Sequence, residues 1–270
     1  MNEAIGYIVT IIVGITLGLM GSGGSILTVP SLVYIFEIQP MQATSYSLFT
    51  IGITSFIGSY SKIKNKLVNF KLVFIFGLPS MFAMALTRMY ILPSLPNQIN
   101  FPLIGEIVKD LYIMFAFAIV MILAAYSMIT NKQEDCIECG KKMEKKSFLL
   151  VFQGIIIGII SGIFGAGGGF LIIPGLVVFA KVPMKNAVAT SLFLVAINSS
   201  VGFASDYQQF ETLNWNLLLI LASLSIVGIL IGNYVSKFVK AENLKPMFGY
   251  FILLIAGVIL FQEIYTTFIK

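Results

Sequence analysis

The sequence predicts an all-α polytopic membrane protein made of two inverted repeats, each a Gly-rich broken-helix or re-entrant hairpin plus three transmembrane helices. Three observations lead there: an apolar composition, a glycine-rich run that recurs at a fixed distance, and basic residues confined to alternate loops. Of 270 residues, 58% are hydrophobic and 11% charged, whereas a soluble domain carries about 25% charge. A spanning helix needs about 20 apolar residues, and the chain holds many such stretches. The 17 basic and 12 acidic residues leave a formal charge of +5. The basic ones gather in short loops, the positive-inside pattern, so the bilayer and not nucleic acid is the expected partner of that charge. Met1-Asn2-Glu3-Ala4 is acidic where a leader would be basic, so no cleavable leader is expected. The sequence has no histidine, which removes Ser–His and Cys–His catalysis and His-ligated metals.

The repeat is visible residue by residue. Gly14, Gly18, Gly21, Gly23 and Gly24, closing at Pro30, recur as Gly158, Gly162, Gly165, Gly167 and Gly168, closing at Pro174, at a constant offset of 144. Pro40-Met41 returns as Pro183-Met184 with a slip of one, and Ser47-Leu48-Phe49 returns in register as Ser191-Leu192-Phe193. This divides the chain into a first membrane repeat at 1–130, a linker at 131–147 and a second membrane repeat at 148–270.

Apolar runs fall near 5–20, 26–36, 42–60, 71–92 and 108–130, then near 148–164, 170–180, 186–204, 214–236 and 246–268. The runs at 26–36 and 170–180 make only about 16 Å of helix, too short for a hydrocarbon core of about 30 Å. Each follows a glycine cluster, so each reads as one arm of a broken helix or hairpin. Lys62, Lys64, Lys66 and Lys71 place one loop in the cytoplasm; Lys132, Lys141, Lys142, Lys145 and Lys146 place the linker there, and Lys237, Lys240 and Lys245 the loop before the last run. The segment 93–107 and the loop 205–213, with Asp206 and Glu211, read as external. Loop 61–71 is basic and its repeat partner 205–213 is acidic, so equivalent loops lie on opposite sides. Inverted halves of this kind form many secondary transporters, whose sites lie at the midplane where broken helices meet. Alternating access would come from one half moving against the other.

The glycine clusters are the first candidate site. A helix that starts inside the membrane presents unpaired N–H groups and the positive end of its dipole, a natural place for an anion. Candidate residues are Gly21, Ser22, Gly23, Gly24 and Ser25 in one half and Gly165, Gly167, Gly168 and Gly169 in the other. Gly14/Gly18 and Gly158/Gly162 read as helix-packing glycines. Ser47, Thr50 and Thr54 share one helical face and Ser191 and Asn198 another. Of these, Ser47, Thr54, Ser191 and Asn198 join the candidate site, Asn198 because an unsatisfied amide in hydrocarbon is costly. No Asp, Glu or Lys occupies the centre of a run, which argues against a cation carrier and against a carboxylate proton relay. Arg88 lies about four residues from the outer end of its run and reads as a side chain that snorkels to the interface.

Cys136 and Cys139 form a CxxC pair in the linker. A zinc site needs four ligands, so these two thiolates hold a metal only when a second chain completes the set, which allows a homodimer. A redox pair and incidental linker thiols are the other readings. No other metal ligand set and no cofactor is expected, and no phosphate-binding G-x-x-x-x-G-K-[ST] run is present.

With the Gly-x-x-x-Gly-x-x-Gly-x-Gly-Gly run ending in proline in both halves, the sequence resembles the TauE/SafE family of sulfite exporters over nearly its whole length. The resemblance implies a multi-pass protein of the cytoplasmic membrane that transports sulfite, sulfonates or related small sulfur-containing anions, usually outward, and no enzymatic activity. Ser22 and Ser25 stand where the second half has Ala166 and Gly169, and the linker cysteines are not a general mark of that family. An anion channel, a membrane sensor, and a thiol-dependent sulfur-handling protein using Cys136 and Cys139 are the alternatives.

Overall fold

The computed structural model describes residues 2–94, 96, 98–101, 105–130, 147–239 and 241–268. Cys136 and Cys139 fall in the part of the linker outside the described residues. The first half contains α1 (Asn2–Met20), a 3-10 turn (Gly21–Leu27), α2 (Thr28–Tyr34), α3 (Pro40–Lys64), α4 (Phe70–Ser94) and α5 (Lys109–Thr130). The second contains α6 (Ser147–Phe164), α7 (Gly169–Pro174) with a π turn (Gly175–Phe179), α8 (Met184–Ser205), α9 (Trp215–Val235) and α10 (Ala241–Phe268). These bounds track the apolar runs closely. The outer segment that the sequence gives only as a loop carries a small antiparallel hairpin, β1 (Gln98–Phe101) and β2 (Gly105–Val108), with Gln98 opposite Val108.

Matching signals start and stop the matching helices. Pro40 opens α3 and Pro183 caps α8, since proline fits where a helix has no N–H to donate. Asn69 accepts from Leu72 N at 3.3 Å at the start of α4, and Asn214 accepts from Leu217 N at 3.2 Å at the start of α9. The two short arms end alike as well. Ile38 N donates to Leu32 O around a left-handed Glu37, and Val182 N donates to Leu176 O around a left-handed Lys181. That closure usually takes glycine.

The surface is apolar and the interior carries the polar groups, as lipid requires. Phe148 is 84% exposed, while Ser47, Thr54, Ser55 and Ser199 are fully buried. Among the described residues five segments are, by length and composition, long and apolar enough to cross a membrane: Ala4–Tyr34, Phe70–Ser94, Leu111–Thr130, Met184–Ser205 and Trp215–Val235. The chain is a multi-pass membrane protein. α3, rich in serine and threonine, is less apolar and lies between other helices.

The two halves interlock. α1 packs along α9 of the other half, and α6 packs along α4. In both pairs glycine sets the spacing. Gly14 lies on Ser225 and Gly228, and Gly18 on Gly232; in the partner pair Gly158 lies on Ser80, and Gly162 on Met84 and Thr87. α3 crosses its own counterpart α8 in antiparallel sense, Gly58 meeting Leu192, Gly52 meeting Ser199 and Ser200, and Leu48 meeting Gly202. α5 and α10 pair in turn. The packing role read for Gly14, Gly18, Gly158 and Gly162 is therefore what these residues perform.

A side chain at Gly14 has no free volume, whereas Gly257 on α10 faces open space. Gly14→Leu is expected to lower stability by about 1–3 kcal/mol or more through overpacking, and Gly257→Leu to stay within about 0.5 kcal/mol. Thermal unfolding of the detergent-solubilised variants checks both.

Candidate functional site

Both short arms are the returning strokes of re-entrant hairpins. The first half turns at Gly21, whose φ is +67°, a region that costs a residue with a Cβ about 1–2 kcal/mol. The chain then runs back along α1: Gly24 abuts the backbone of Thr16 and Leu17, and the Phe36 ring covers Gly6. A continuous helix would separate residues 17 and 24 by about 10 Å. The second half turns through Gly168, at φ +75°, which brings Gly168 against Ser161 and Gly175 against Ile157. Of the two forms the sequence left open, the structure takes the hairpin.

The two tips meet inside the bundle. Ser22 Oγ donates to Gly169 O at 2.9 Å, and Gly169 presses on the Ser22 backbone too closely to admit a Cβ. The candidates Gly21, Ser22, Gly23, Gly24, Ser25, Gly165, Gly167, Gly168 and Gly169 are all buried. The space next to several of them is protein: Gly21 rests on Val188, Gly165 on Thr44, and Gly167 on Ser199 and Val195. A bulky residue at Gly168 therefore strains the turn itself, so it does not separate a binding role from a folding one.

The hydroxyls divide into two groups. Thr54 Oγ1 donates to Thr50 O at 2.6 Å and Ser191 Oγ to Val188 O at 3.0 Å, the usual way a helix satisfies such groups. Asn198, the counterpart of Thr54, donates through Nδ2 to Ser80 Oγ at 2.8 Å, while its Oδ1 has no partner. Ser25, Thr28, Ser47, Thr50, Ser55, Ser199 and Ser225 are buried with hydroxyls that make no hydrogen bond. Buried polar atoms without partners are few in native proteins and each asks for an explanation.

Three of these orphans face one another. Thr28, Thr50 and Ser225 line a cavity with Thr10 and Ser31, between the first hairpin, α3 and α9. It has space for about one water molecule. At the repeat offset, Thr10, Thr28, Ser31 and Thr50 become Gly154, Ile172, Gly175 and Leu194, while Ser225, which packs on Gly14, has its counterpart in Ser80, which packs on Gly158. The second half has no such hydroxyl set. Helical spacing puts Thr50 on one face with Ser47 and Thr54, yet Thr50 is not among the residues expected at the site from sequence, and neither are Thr10, Thr28, Ser31 and Ser225. Thr28 and Ser31, three apart on one arm, were the available signal.

The ends of α3 differ. At its start, Arg88 is fully buried, not snorkelling. Its NH1 and NH2 donate to Thr44 Oγ1 at 2.9 and 3.0 Å, and NH2 lies 3.1 Å from Asp206 Oδ2. Ser45 Oγ donates to the same carboxylate oxygen at 2.6 Å. Asp206 is thus no solvated loop charge, and the pair joins α3, α4 and the end of α8 behind Thr44, on which Gly165 rests. Either charge alone would be costly here; each is tolerated because the other is present. Phe49, Phe203, Phe210 and Trp215 stack beside this end, with ring centroids 4.8 to 6.3 Å apart. At the far end of α3, a cleft of about 160 Å³ opens among Lys62, Lys185 and Lys237.

Asp206→Asn leaves a buried guanidinium without its counter-charge and is expected to cost about 3–5 kcal/mol. The double change Arg88→Met with Asp206→Leu removes both charges and is expected to recover most of that loss. Thermal melts of the wild type and these two variants in one detergent decide it.

Comparison with known proteins agrees with this architecture. The family model described as Sulfite exporter TauE/SafE matches residues 7–259. A probable membrane transporter protein of Methanocaldococcus jannaschii is 32% identical over 203 residues, covering 73% of this chain and 70% of that protein. The probable membrane transporter protein YunE of Bacillus subtilis is 24% identical over 288 residues, covering 96% and 99%. A probable membrane transporter protein of Xylella fastidiosa is 24% identical over 258 residues, covering 93% and 92%. No solved structure matches. With a family match spanning both hairpins and relatives named as transporters along most of its length, the chain is a membrane transporter of the TauE/SafE sulfite exporter family.

Proposed function

We propose that this transporter is a secondary carrier, not an enzyme or a channel, that exports sulfite, sulfonates or related small sulfur oxyanions across the cytoplasmic membrane. The anion is held where the hairpin tips meet the α3–α8 crossing. The observation that carries this reading is the set of buried hydroxyls without acceptors, Ser25, Thr28, Ser47, Thr50, Ser55, Ser199 and Ser225. Each is a donor with nothing to donate to, and an oxyanion supplies several acceptors at once. Backbone N–H groups near Gly24 and Gly168 and the Asn198 amide add donors. Thr54 and Ser191 contribute after releasing their own helix carbonyls. Neutral donors suit an anion that must also leave, because a buried cation would hold it tightly.

The reciprocal packing of the halves and the antiparallel crossing of α3 with α8 support an inverted-repeat carrier that works by alternating access. The conformation described is closed around its hydroxyls: the cavity takes one water, and the Arg88–Asp206 end is sealed. At the lysine-lined end a cleft of about 160 Å³ indents the bundle. By loop charge this end is cytoplasmic, and intake there suits export.

Flux of sulfite, thiosulfate, sulfoacetate and taurine, beside acetate and chloride, into proteoliposomes tests the substrate class. Saturable, counterflow-competent movement of one sulfur anion is expected. That anion at 100 times its Kd is expected to stabilise the solubilised protein by about 2.7 kcal/mol. Thr50→Val and Thr28→Val keep shape while removing a hydroxyl that has no partner, so neither is expected to destabilise the protein. Each is expected to raise KM about tenfold, the loss of roughly one hydrogen bond to a charged group. Wild-type KM in both variants overturns the site, and transport of acetate or chloride in preference to every sulfur anion overturns the substrate.

A further inference from the structure

Where α3 ends, two depressions share a wall. One is a groove of about 490 Å³ on the outer surface between α3 and α9, lined by Phe56, Ile57, Tyr60, Leu230 and Tyr234. The other is the cleft among Lys62, Lys185 and Lys237. Ser61, Asn233 and Lys237 line both. The groove is apolar and faces the lipid side of the bundle, and the cleft beside it is strongly cationic.

The cations are poorly compensated. Among the described residues no carboxylate lines either depression. Lys62 Nζ has the Ser236 hydroxyl at 3.2 Å, and Lys237 Nζ lies 5.8 Å from the centre of the Tyr234 ring. Two residues beyond the apolar run of α3, Lys62 is held below its ordinary pKa by burial first and then by the charge of Lys237. Asn233 sits at the junction. Its Nδ2 donates to Gly58 O at 3.2 Å, and its Oδ1 is buried with no donor. The junction therefore offers three positive charges and one vacant acceptor next to a slot for an alkyl chain. Basic pockets between helices near the cytoplasmic surface recognise anionic headgroups in this way.

We propose that the two depressions form a binding site for one anionic glycerophospholipid of the phosphatidylglycerol type, with its phosphate among Lys62, Lys185 and Lys237, a headgroup hydroxyl donating to Asn233, and an acyl chain along Phe56, Tyr60 and Leu230. A free oxyanion would need the cleft alone. The shared wall and the apolar groove fit a ligand that carries both a charge and a chain. The lipid would brace the ends of α3 and α9 at the lysine-lined end of the bundle.

Native mass spectrometry and thermal unfolding of the detergent-purified protein, titrated with dioleoyl phosphatidylglycerol or dioleoyl phosphatidylcholine, test the site. The anionic lipid is expected to bind about tenfold more tightly, and each of Lys62→Gln, Lys185→Gln and Lys237→Gln to weaken it about fivefold. The triple variant is expected to treat the two lipids alike. Phe56→Ala with Leu230→Ala is expected to weaken the anionic lipid without creating a preference for the other. Where the triple variant does not fold, the exposed Lys185 alone carries the comparison. Equal binding of the two lipids, or a preference that survives Lys185→Gln unchanged, overturns the proposal. So does a lysine-dependent thermal shift of the same size with inorganic phosphate or sulfate in place of lipid, which would assign the cleft to a soluble anion.

Discussion

Two chain reversals lie inside an apolar bundle, and a reversal exposes backbone N–H and C=O groups that neither helix nor water satisfies. In hydrocarbon each such group costs several kcal/mol, so irregular backbone survives there only under protein cover. Much of the packing around the tips follows from that constraint. Thr44, Val188, Val195 and Ser199 press directly on the tip glycines, and Ser22 closes the contact between the tips by donating to Gly169 O. The stems need equally close cover, which is why α1 and α6 each carry paired glycines toward a helix of the other half. Left-handed turns at Gly21 and Gly168 complete the reversal in the fewest residues.

Much of this was legible in the sequence because it depends on short-range pattern. Apolar runs gave the helices to within a few residues, the 144-residue offset gave the equivalences, and the shortness of 26–36 and 170–180 gave the arms. What was not legible depends on which elements meet. Arg88 has no counter-charge within its own half, and Asp206 lies 118 positions away in the chain. Reading each against its nearest loop placed both in the wrong surroundings. The hydroxyl cavity escaped for a related reason: Thr10, Thr28, Thr50 and Ser225 come from four elements, and each alone is an unremarked hydroxyl in an apolar run. The candidate glycines were found, yet half of what they do is steric, and a sequence does not distinguish an empty space beside a glycine from a filled one.

The two halves share a scaffold and differ in their chemistry. Each half keeps its hairpin, its capping asparagine and its glycine seams. The polar equipment is not duplicated. Asp206 corresponds to Lys62 at the repeat offset, and Arg88 to Asn233 once α4 and α9 are matched on their capping asparagines, so one end of the α3–α8 pair holds a neutralised ion pair and the other keeps uncompensated cations. The hydroxyl set draws four members from the first half and Ser225 from the second, and at the repeat offset those four have no hydroxyl counterparts. A symmetric frame with an asymmetric lining can bind a ligand off its own axis and still use symmetric motions.

The interlock between halves has a further meaning. Because α1 lies against α9 and α6 against α4, the bodies that hold together in space are not the repeats that recur in the sequence. Each is a composite of both halves, stitched to the central α3–α8 pair by short connectors. Two of those connectors pass through Glu37 and Lys181, equivalent residues held at φ +55° and +52°, a conformation that L-residues other than asparagine and aspartate rarely keep. In the alternating-access reading proposed above, relative motion of the composites would be absorbed at such points. Cutting the molecule at its linker would yield two fragments that each lack the other's lining, so the pattern that recurs along the chain does not mark out a body that packs by itself.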